Sequence, residues 1–510
     1  MTRLGVRAGA AALMVVLAAT VLRYLVLAAG AVAYPFGLDY GEGIVWQQMR
    51  MMLAGEGYAP LRPYPAIVFH YPPLYHLASA ATAALAGTDQ LAAGRLLSVL
   101  STLGAAALAA AIVLQVSGRA GWPARLAALC AGAIVLGTKP VAEWSVYMRV
   151  DMLSQLLTLA GTALAMLALR RPSAVHGAAL CFVAAIFTKQ TALDAPLAAF
   201  AVLLLARPRT ALLGIATGLL ASVTALAAAT AWTDGAFLRH IVLNNVNRFC
   251  LSCGVKILEM LGEHAGFILV AIGGVAVAIR AARPAEGWRG TIARLRAEPR
   301  AAALAMLLLQ LALATPLLLL RFKSGGSVNY FIGWTTLVAI FDGIALAALF
   351  AAVAPGRLAR AAPWVLAAQA GALLAMFAPS YVAKQRGRET ATLIAAALAR
   401  APGPVVSDDM VALLRAGKAA VLEPSIFAEL SGTGALDERR VLRRIEAGGF
   451  AAFLTEGDPG ERVFDSRYRP DFTAAMTLRY PQVIPLGKFR LRLPPGPLPA
   501  WAAPLAGGTP

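Results

Sequence analysis

The sequence predicts a polytopic α-helical membrane protein of about eleven transmembrane helices plus juxtamembrane helices, followed by a small extracytoplasmic α/β domain. Three observations carry that expectation. The 510 residues are 59% hydrophobic and only 14% charged, with a mean hydropathy of +0.69, whereas a soluble domain carries about 25% charged residues. Apolar runs long enough to cross a hydrocarbon core, about 20 residues each, recur from the N-terminus to residue 379. Beyond residue 380 the chain becomes more charged and is punctuated by Pro and Gly.

The first run, 8–33, is too long for the apolar core of a signal peptide and reads as a spanning helix. Further spans are expected at 91–116, 124–141, 151–169, 174–188, 191–206, 210–231, 265–281, 301–320, 331–353 and 361–379. The stretch 72–87, PPLYHLASAATAALAG, decides the topology. If it does not cross, Arg3, Arg7, Arg119, Arg125, Arg170, Arg171, Arg207, Arg209, the Arg-rich segment 280–300, Arg357 and Arg360 all fall on one side. Basic residues are retained in the cytoplasm, so that side is the cytoplasmic one. Counting 72–87 as a span would reverse every later loop, and it is short for a span, so it is expected to lie at the interface. The N-terminus is then cytoplasmic. The outer loops are 34–90, 142–150, 189–190, 232–264 and 321–330, and Lys139, Lys189, Lys256 and Lys323 all fall on this outer side. The Ala- and Arg-rich composition points to a bacterial chain and hence to a bacterial inner membrane.

The net charge of +19 does not imply nucleic acid. Only seven of the 45 basic residues are Lys, and the Arg residues sit in short loops between spans. Phosphate-backbone binding needs a contiguous basic patch. Residues 1–379 form the expected membrane domain. Residues 380–510 form the expected outer domain. There VVSDDMVALLRAGKAAVLEPSIFAEL alternates short strands with helical stretches, and DERRVLRRIEAGGFAAFLTE reads helix, Gly-Gly, strand. The tail from 493 reads as irregular or disordered.

Two acids stand at the lip of the first span, Asp39 and Glu42 in LDYGEG. Their spacing is that of a capping box, with Asp39 as N-cap and Glu42 reaching back from the third helical position. Carboxylates at a membrane lip are also placed to take a proton from an attacking hydroxyl. The cations that would meet a phosphate on the outer side are Arg149 in YMRVD, Lys189 (followed by Gln190) in FTKQT, and Lys323 in FKSGGSVNYF; Arg248 is a further candidate. Lys189 and Gln190 interrupt an apolar hairpin, where charge is costly and marks function or snorkelling. Arg149 has a competing reading as a local ion pair with Asp151, and Arg95 one as a snorkelling anchor. His70 and Tyr71 either hydrogen-bond a sugar or anchor the interface. Asn329 either contacts sugar or phosphate or caps the span that follows. Asn244, Asn245 and Asn247 are equally well explained as loop polarity. Cys250 and Cys253 in CLSC read as a disulfide or free thiols; a zinc site would need two more ligands, with His240 and His264 the nearby imidazoles. Cys130 and Cys181 read as small buried side chains.

These pieces carry a resemblance. LDYGEG, FHYPPLYHLASAATAALAG, GRLLSVLSTLG, RVDMLS, FTKQTAL and KSGGSVNYF, in that order over about residues 30–350, resemble the GT-C superfamily of membrane glycosyltransferases, in particular the bacterial relatives of protein O-mannosyltransferases and aminoarabinose transferases. Residues 401–455 resemble the tail of an uncharacterised bacterial branch. The resemblance implies a polyprenyl-phosphate-linked sugar as donor and a glycan, lipid or protein hydroxyl as acceptor. It implies Asp39 as catalytic base and Glu42 as its partner, with the helices at 42–54 and 72–87 flooring the site. The chain departs from the usual pattern in that Tyr40 and Gly41 separate the two acids. On these grounds Lys189, Gln190, Arg149 and Lys323 are expected to bind the donor phosphate, and His70, Tyr71 and Asn329 the sugar or acceptor. The sequence does not require a divalent metal. A lipid or glycan transporter or flippase is the competing class, and a non-catalytic scaffold binding lipid-linked glycan is a third; transporters often carry internal repeats and mid-span charges, and no repeat is visible.

Overall fold

The computed structural model describes residues 3–118, 121–245, 247–283, 287–323, 325–354 and 356–507. Among them, eight helical segments are long and apolar enough to cross a membrane, so the chain is a multi-pass membrane protein. Helix α1 (Arg3–Ala33) is followed by two shorter helices, α2 (Tyr40–Leu53) and α3 (Leu74–Ala86), and then by α4 (Gln90–Ser117). Next come α5 (Trp122–Gly137), α6 (Lys139–Trp144), α7 (Asp151–Ala168), α8 (Ala174–Ile186), α9 (Asp194–Ala206) and α10 (Pro208–Trp232). Each of the eleven expected spans coincides with a helix, but α5, α8 and α9 are short. The expected span 124–141 is cut after Gly137. Thr138 is extended (φ −69°, ψ 138°) and Pro140 opens α6; a proline lacks the N–H that would continue the ladder. The spans share one apolar core that runs from Leu13 on α1 through Val113 on α4 to Phe341 in the helix Ile332–Ala351.

The C-terminal segment carries a four-stranded sheet in the order β1-β2-β4-β3, from β1 (Val405–Ser407), β2 (Ala452–Glu456), β3 (Gln482–Leu486) and β4 (Phe489–Leu493). Strands β1 and β2 are parallel and the rest antiparallel. The two-residue turn Gly487–Lys488 joins β3 to β4, with Gly487 at φ 61°, the positive value a tight hairpin needs. The stretch around Val421 forms no strand of this sheet; Leu422 instead makes a parallel bridge to Ala66 in the first long loop. The tail is packed and ends in the short helix Ala503–Ala506: Trp501, Ala502 and Leu505 are buried in one cluster with residues of the sheet.

This segment is not a separate ball on a tether. One apolar cluster joins Ile44, Met52, Tyr58, Ile67 and Phe69 of the first loop to Val405, Leu413, Leu454 and Leu491. Arg415 grips Asp89 through two hydrogen bonds of 2.6 and 2.7 Å and donates to the Pro35 carbonyl. At Gly43 the approach is backbone to side-chain position: a Cβ there would lie 2.8 Å from both the Met410 carbonyl carbon and Val411 N. Backbone cannot yield as a flexible side chain can. Gly43→Ala is therefore expected to cost about 1–3 kcal/mol through overpacking, seen as a lower melting temperature in detergent and faster protease cleavage within residues 400–507.

Candidate active site

The capping box forms as the spacing predicts. Asp39 is the N-cap of α2, extended at φ −137°, ψ 148°; its Oδ2 accepts the Gly41 N–H at 2.9 Å, and Glu42 reaches back to the Asp39 N–H. The two acids then part company. Glu42 is 0% exposed. Its Oε1 accepts from Arg95 Nε at 2.7 Å and Met148 N at 2.9 Å; its Oε2 accepts from Arg95 Nη2 and Leu38 N, both at 2.7 Å. Arg95 spends its remaining donors on the carbonyls of Ala31, Tyr34 and Phe36. Burial alone would raise the Glu42 carboxyl, but the Arg95 charge and these hydrogen bonds outweigh it and hold it below the ordinary range. Glu42 does not reach the surface of any site, so of the expected pair only Asp39 does. Arg95 does not snorkel: it is 0% exposed and closes a bidentate pair.

Asp39 faces Arg149, with Oδ2 3.4 Å from Nη1. The expected local pair of Arg149 with Asp151 does not form; Arg149 turns back over α2, its guanidinium 5.3 Å from the Trp144 ring. Gly41 is what allows this. A Cβ at position 41 would fall inside Arg149 Nη1, so the residue that separates the two acids in sequence is the one that lets the cation lie on the helix start. Gly41→Ala is expected to displace Arg149 and to lower any turnover this site supports about 10²-fold, the penalty for shifting a reacting group by roughly 1 Å. The check is kcat against an unchanged melting temperature.

Asp151, 4% exposed at the start of α7, collects Lys189 Nζ at 2.6 Å, Asn329 Nδ2 at 2.9 Å and Trp144 Nε1 at 2.6 Å. Asn329 therefore does not cap the following helix. Lys189 and Lys323 both stand over the Tyr330 ring, at 4.9 and 5.2 Å. Burial and the Lys189 charge push the Lys323 ammonium below its usual value. Gln190 Nε2 donates to the His70 carbonyl at 2.8 Å, which ties the α8–α9 turn to the first loop. Burial, then the charges of Arg149, His240 and Lys323, take the His70 imidazole down to about 3, so it is neutral at physiological pH. The Tyr71 phenol also faces Arg149, and its carbonyl accepts from Tyr58 Oη at 2.7 Å. Four buried polar atoms of this group have no protein partner among the described residues: His70 Nε2, Arg149 Nε, Gln190 Oε1 and Asn329 Oδ1. Unsatisfied buried polar atoms cost about 1–3 kcal/mol each, and their concentration in one place marks a site built for a polar ligand.

Two cavities flank these residues. One, of about 80 Å³, is polar at Asp151, Lys189, Asn329 and Tyr330 and apolar at Leu317, Leu320 and Trp334. The other, about 550 Å³, is bordered by Asp39 and Tyr40 and by Asp408, Glu456, Arg467 and Lys488 of the C-terminal segment. Asp39 and Lys189 thus line different hollows, with Arg149 paired to Asp39. Among the described residues no three His, Cys, Asp or Glu side chains cluster so as to hold a metal ion. Cys250 and Cys253 form a disulfide with a Cα–Cα distance of 5.3 Å. The two imidazoles are engaged elsewhere, His240 with Phe69 N and the Ala59 carbonyl, His264 with Lys139 N and the Met260 carbonyl. The disulfide segment is tied to the Lys323 loop, where Cys250 N donates to the Phe322 carbonyl at 2.5 Å and Phe249 bridges to Lys323.

Sequence reading passed over Tyr330, which only its place between two lysines distinguishes, and Asp342. The latter lies 0% exposed in the helix Ile332–Ala351, and neither carboxyl oxygen has a partner among the described residues. It lines neither cavity.

Taken together, helices, loop and sheet define a GT-C fold, the fold of the superfamily that the sequence resembles. Among solved structures the chain is similar to ArnT from Cupriavidus metallidurans bound to undecaprenyl phosphate, with a TM-score of 0.58 at 15% identity over 96% of this chain and 99% of that one. It is similar to the apo state of the same protein at a TM-score of 0.53 and 16% identity, with the same coverage. A weaker likeness, a TM-score of 0.45 at 11% identity over 85% of this chain and 69% of that one, is to the archaeal oligosaccharyltransferase AglB from Archaeoglobus fulgidus. No family model matches the sequence, and no curated protein matches it.

Proposed function

We propose that the protein is a membrane glycosyltransferase that moves a sugar from a polyprenyl-phosphate donor to an acceptor hydroxyl on the outer side of a bacterial inner membrane. The observation that carries this is the pairing of one part-exposed carboxylate, Asp39, with Arg149, together with a separate cavity that is polar at Asp151, Lys189 and Asn329 and apolar at Leu317, Leu320 and Trp334. The neighbour ArnT was solved with undecaprenyl phosphate, a ligand of that polar-headed, apolar-tailed kind. In this reading the prenyl chain lies against Leu317, Leu320 and Trp334. The phosphate meets Lys189 and Arg149, with Lys323 behind them. His70, Tyr71, Gln190 and Asn329 offer neutral hydrogen-bonding groups to the sugar, and the acceptor approaches from the Asp39 cavity.

The acceptor O–H gives its proton to Asp39 while its oxygen attacks the anomeric carbon. The bond from that carbon to the phosphate oxygen breaks from the opposite face, so the configuration inverts. The leaving polyprenyl phosphate carries the electron pair, and its charge is balanced by cations already fixed in place. Glu42 touches neither substrate; with Arg95 it holds the turn that aims Asp39. The test is transfer of radiolabelled sugar from polyprenyl phosphate by the purified protein in detergent. Label that follows the lipid across a vesicle bilayer without changing acceptor would instead indicate the transporter class.

A further inference from the structure

A third cavity, of about 390 Å³, lies at the far end of the helices that carry the candidate site. Helix α4 starts near Asp39, where Arg95 grips Glu42, and reaches this cavity at Val116 and Ser117. At about 1.5 Å of rise per residue, Arg95 and Val116 are about 30 Å apart along the helix, which matches the thickness of the hydrocarbon core. The cavity therefore opens at the opposite membrane face. Its walls are small and apolar, with Val277, Ile344, Ala347 and Ala348 among them. Among the described residues no acid lines it, and the one charged group is Arg300. Arg300 is the second residue of the helix Pro299–Leu317. Its Nε donates to the Val116 carbonyl at 2.7 Å, one of those that the end of α4 leaves without a helical partner. Among the described residues neither terminal nitrogen of the guanidinium donates to a protein group. Gly118 makes room for it. At φ 69° it ends α4 in the left-handed region, and a Cβ there would lie 3.2 Å from Arg300 Cδ, Nε and Cζ. The surrounding face is cationic. Arg207 donates to the Arg296 carbonyl at 2.6 Å and Arg296 to the Leu205 carbonyl at 3.1 Å, which ties the end of α9 to the helix Gly287–Ala297. Among the described residues of the connections 117–125, 169–175, 206–210, 280–300 and 352–361, the only acid is Glu298, and Arg294 pairs with it at 3.4 Å. Trp122, 69% exposed where α5 starts, stands as an interfacial aromatic would.

We propose that this cavity binds an anionic phospholipid from the leaflet opposite Asp39, with the headgroup phosphate on Arg300 and the start of an acyl chain against Ile344 and Ala348. Basic pockets between spanning helices select anionic headgroups by charge. The apolar walls select a lipid over a free anion, because they would strip water from the anion and offer no hydrogen bond in return. The occupant seats where the ends of α4, α5 and the helices Ala265–Ala282, Pro299–Leu317 and Ile332–Ala351 meet. It takes no part in sugar transfer, and the proposal stands independently of the role of Asp39.

The experiment titrates the full chain in detergent with phosphatidylglycerol, phosphatidylcholine or inorganic phosphate. It follows the melting temperature and counts retained lipid by native mass spectrometry. Phosphatidylglycerol is expected to raise the melting temperature to a plateau and to stay bound as a single copy, whereas phosphatidylcholine and phosphate do neither. Arg300→Gln is expected to weaken phosphatidylglycerol binding about tenfold, the worth of one hydrogen bond to a charged group. Because Arg300 also holds the Val116 carbonyl, that variant could unfold for another reason. Ala348→Phe is the second variant: it fills the cavity from the helix Ile332–Ala351, leaves Arg300 in place and is expected to cause a similar loss. Equal stabilisation by phosphatidylcholine means that charge does not select the lipid and overturns the proposal. Stabilisation by phosphate alone at the same concentration assigns the cavity to a free anion and overturns the lipid. Undiminished phosphatidylglycerol binding in Ala348→Phe, or in a folded Arg300→Gln, puts the lipid elsewhere and overturns the site.

Discussion

Asp39→Asn is expected to lower kcat about 10²–10⁴-fold, the usual worth of a positioned general base, with melting temperature and donor binding close to wild type. The reason is geometric. Asn keeps the amide oxygen that caps α2 at Gly41 N, so the helix start survives, and asparagine is as good an N-cap as aspartate. What it loses is the capacity to accept a proton and the charge that faces Arg149 at 3.4 Å. The partner experiment, Asp39→Ala, removes both cap and base and separates the two roles: it adds about 1 kcal/mol of destabilisation to the same kinetic loss. Radiolabelled transfer at saturating donor is the measurement. A near-wild-type rate in Asp39→Asn would reject the base assignment and leave the capping box as the whole role of the residue.

Arg95→Met carries the largest expected effect on stability. Removing one partner of a fully buried pair leaves an uncompensated charge and costs about 3–5 kcal/mol. Here Arg95 also satisfies the carbonyls of Ala31, Tyr34 and Phe36 at the exit of α1, so the loop that aims Asp39 would lose its anchor as well. Glu42→Gln/Arg95→Met is expected to recover part of the loss, because the stranded charge is gone and the amide oxygen still accepts from one of the two N–H groups, Leu38 or Met148, that Glu42 serves. Thermal unfolding in detergent reads both. The sign with pH follows from Glu42 being held below its ordinary value: the pair stabilises fully at neutral pH, and its contribution is lost only as pH falls through and below the usual carboxylate range. If Arg95→Met melts with the wild type, the clamp does not hold the loop.

The contrast between Asp39 and Glu42 shows how far a local pattern reaches. D-x-x-E spacing predicts both acids at one helix start, and both are there. It does not say which of them is buried, because that depends on where α4 brings Arg95, on the far side of a long loop. Arg149 was legible as a cation between two expected spans, with pairing to its neighbour in sequence, Asp151, as one of its two readings. Trp144, Lys189 and Asn329 occupy Asp151 instead, and the guanidinium goes to the glycine-lined start of α2.

Hydropathy by itself determined that the chain carries many apolar helices and where they run, because burial in lipid demands long apolar runs whatever their neighbours are. The capping box was legible for a similar reason: its partners lie within four residues. Only the tertiary structure decided that the C-terminal segment shares a core with the first loop, that Asp39 and Lys189 open into different cavities, and that Arg149 pairs with Asp39. Those contacts join residues far apart in the chain, and their free energy depends on packing and charge placement that no local pattern encodes.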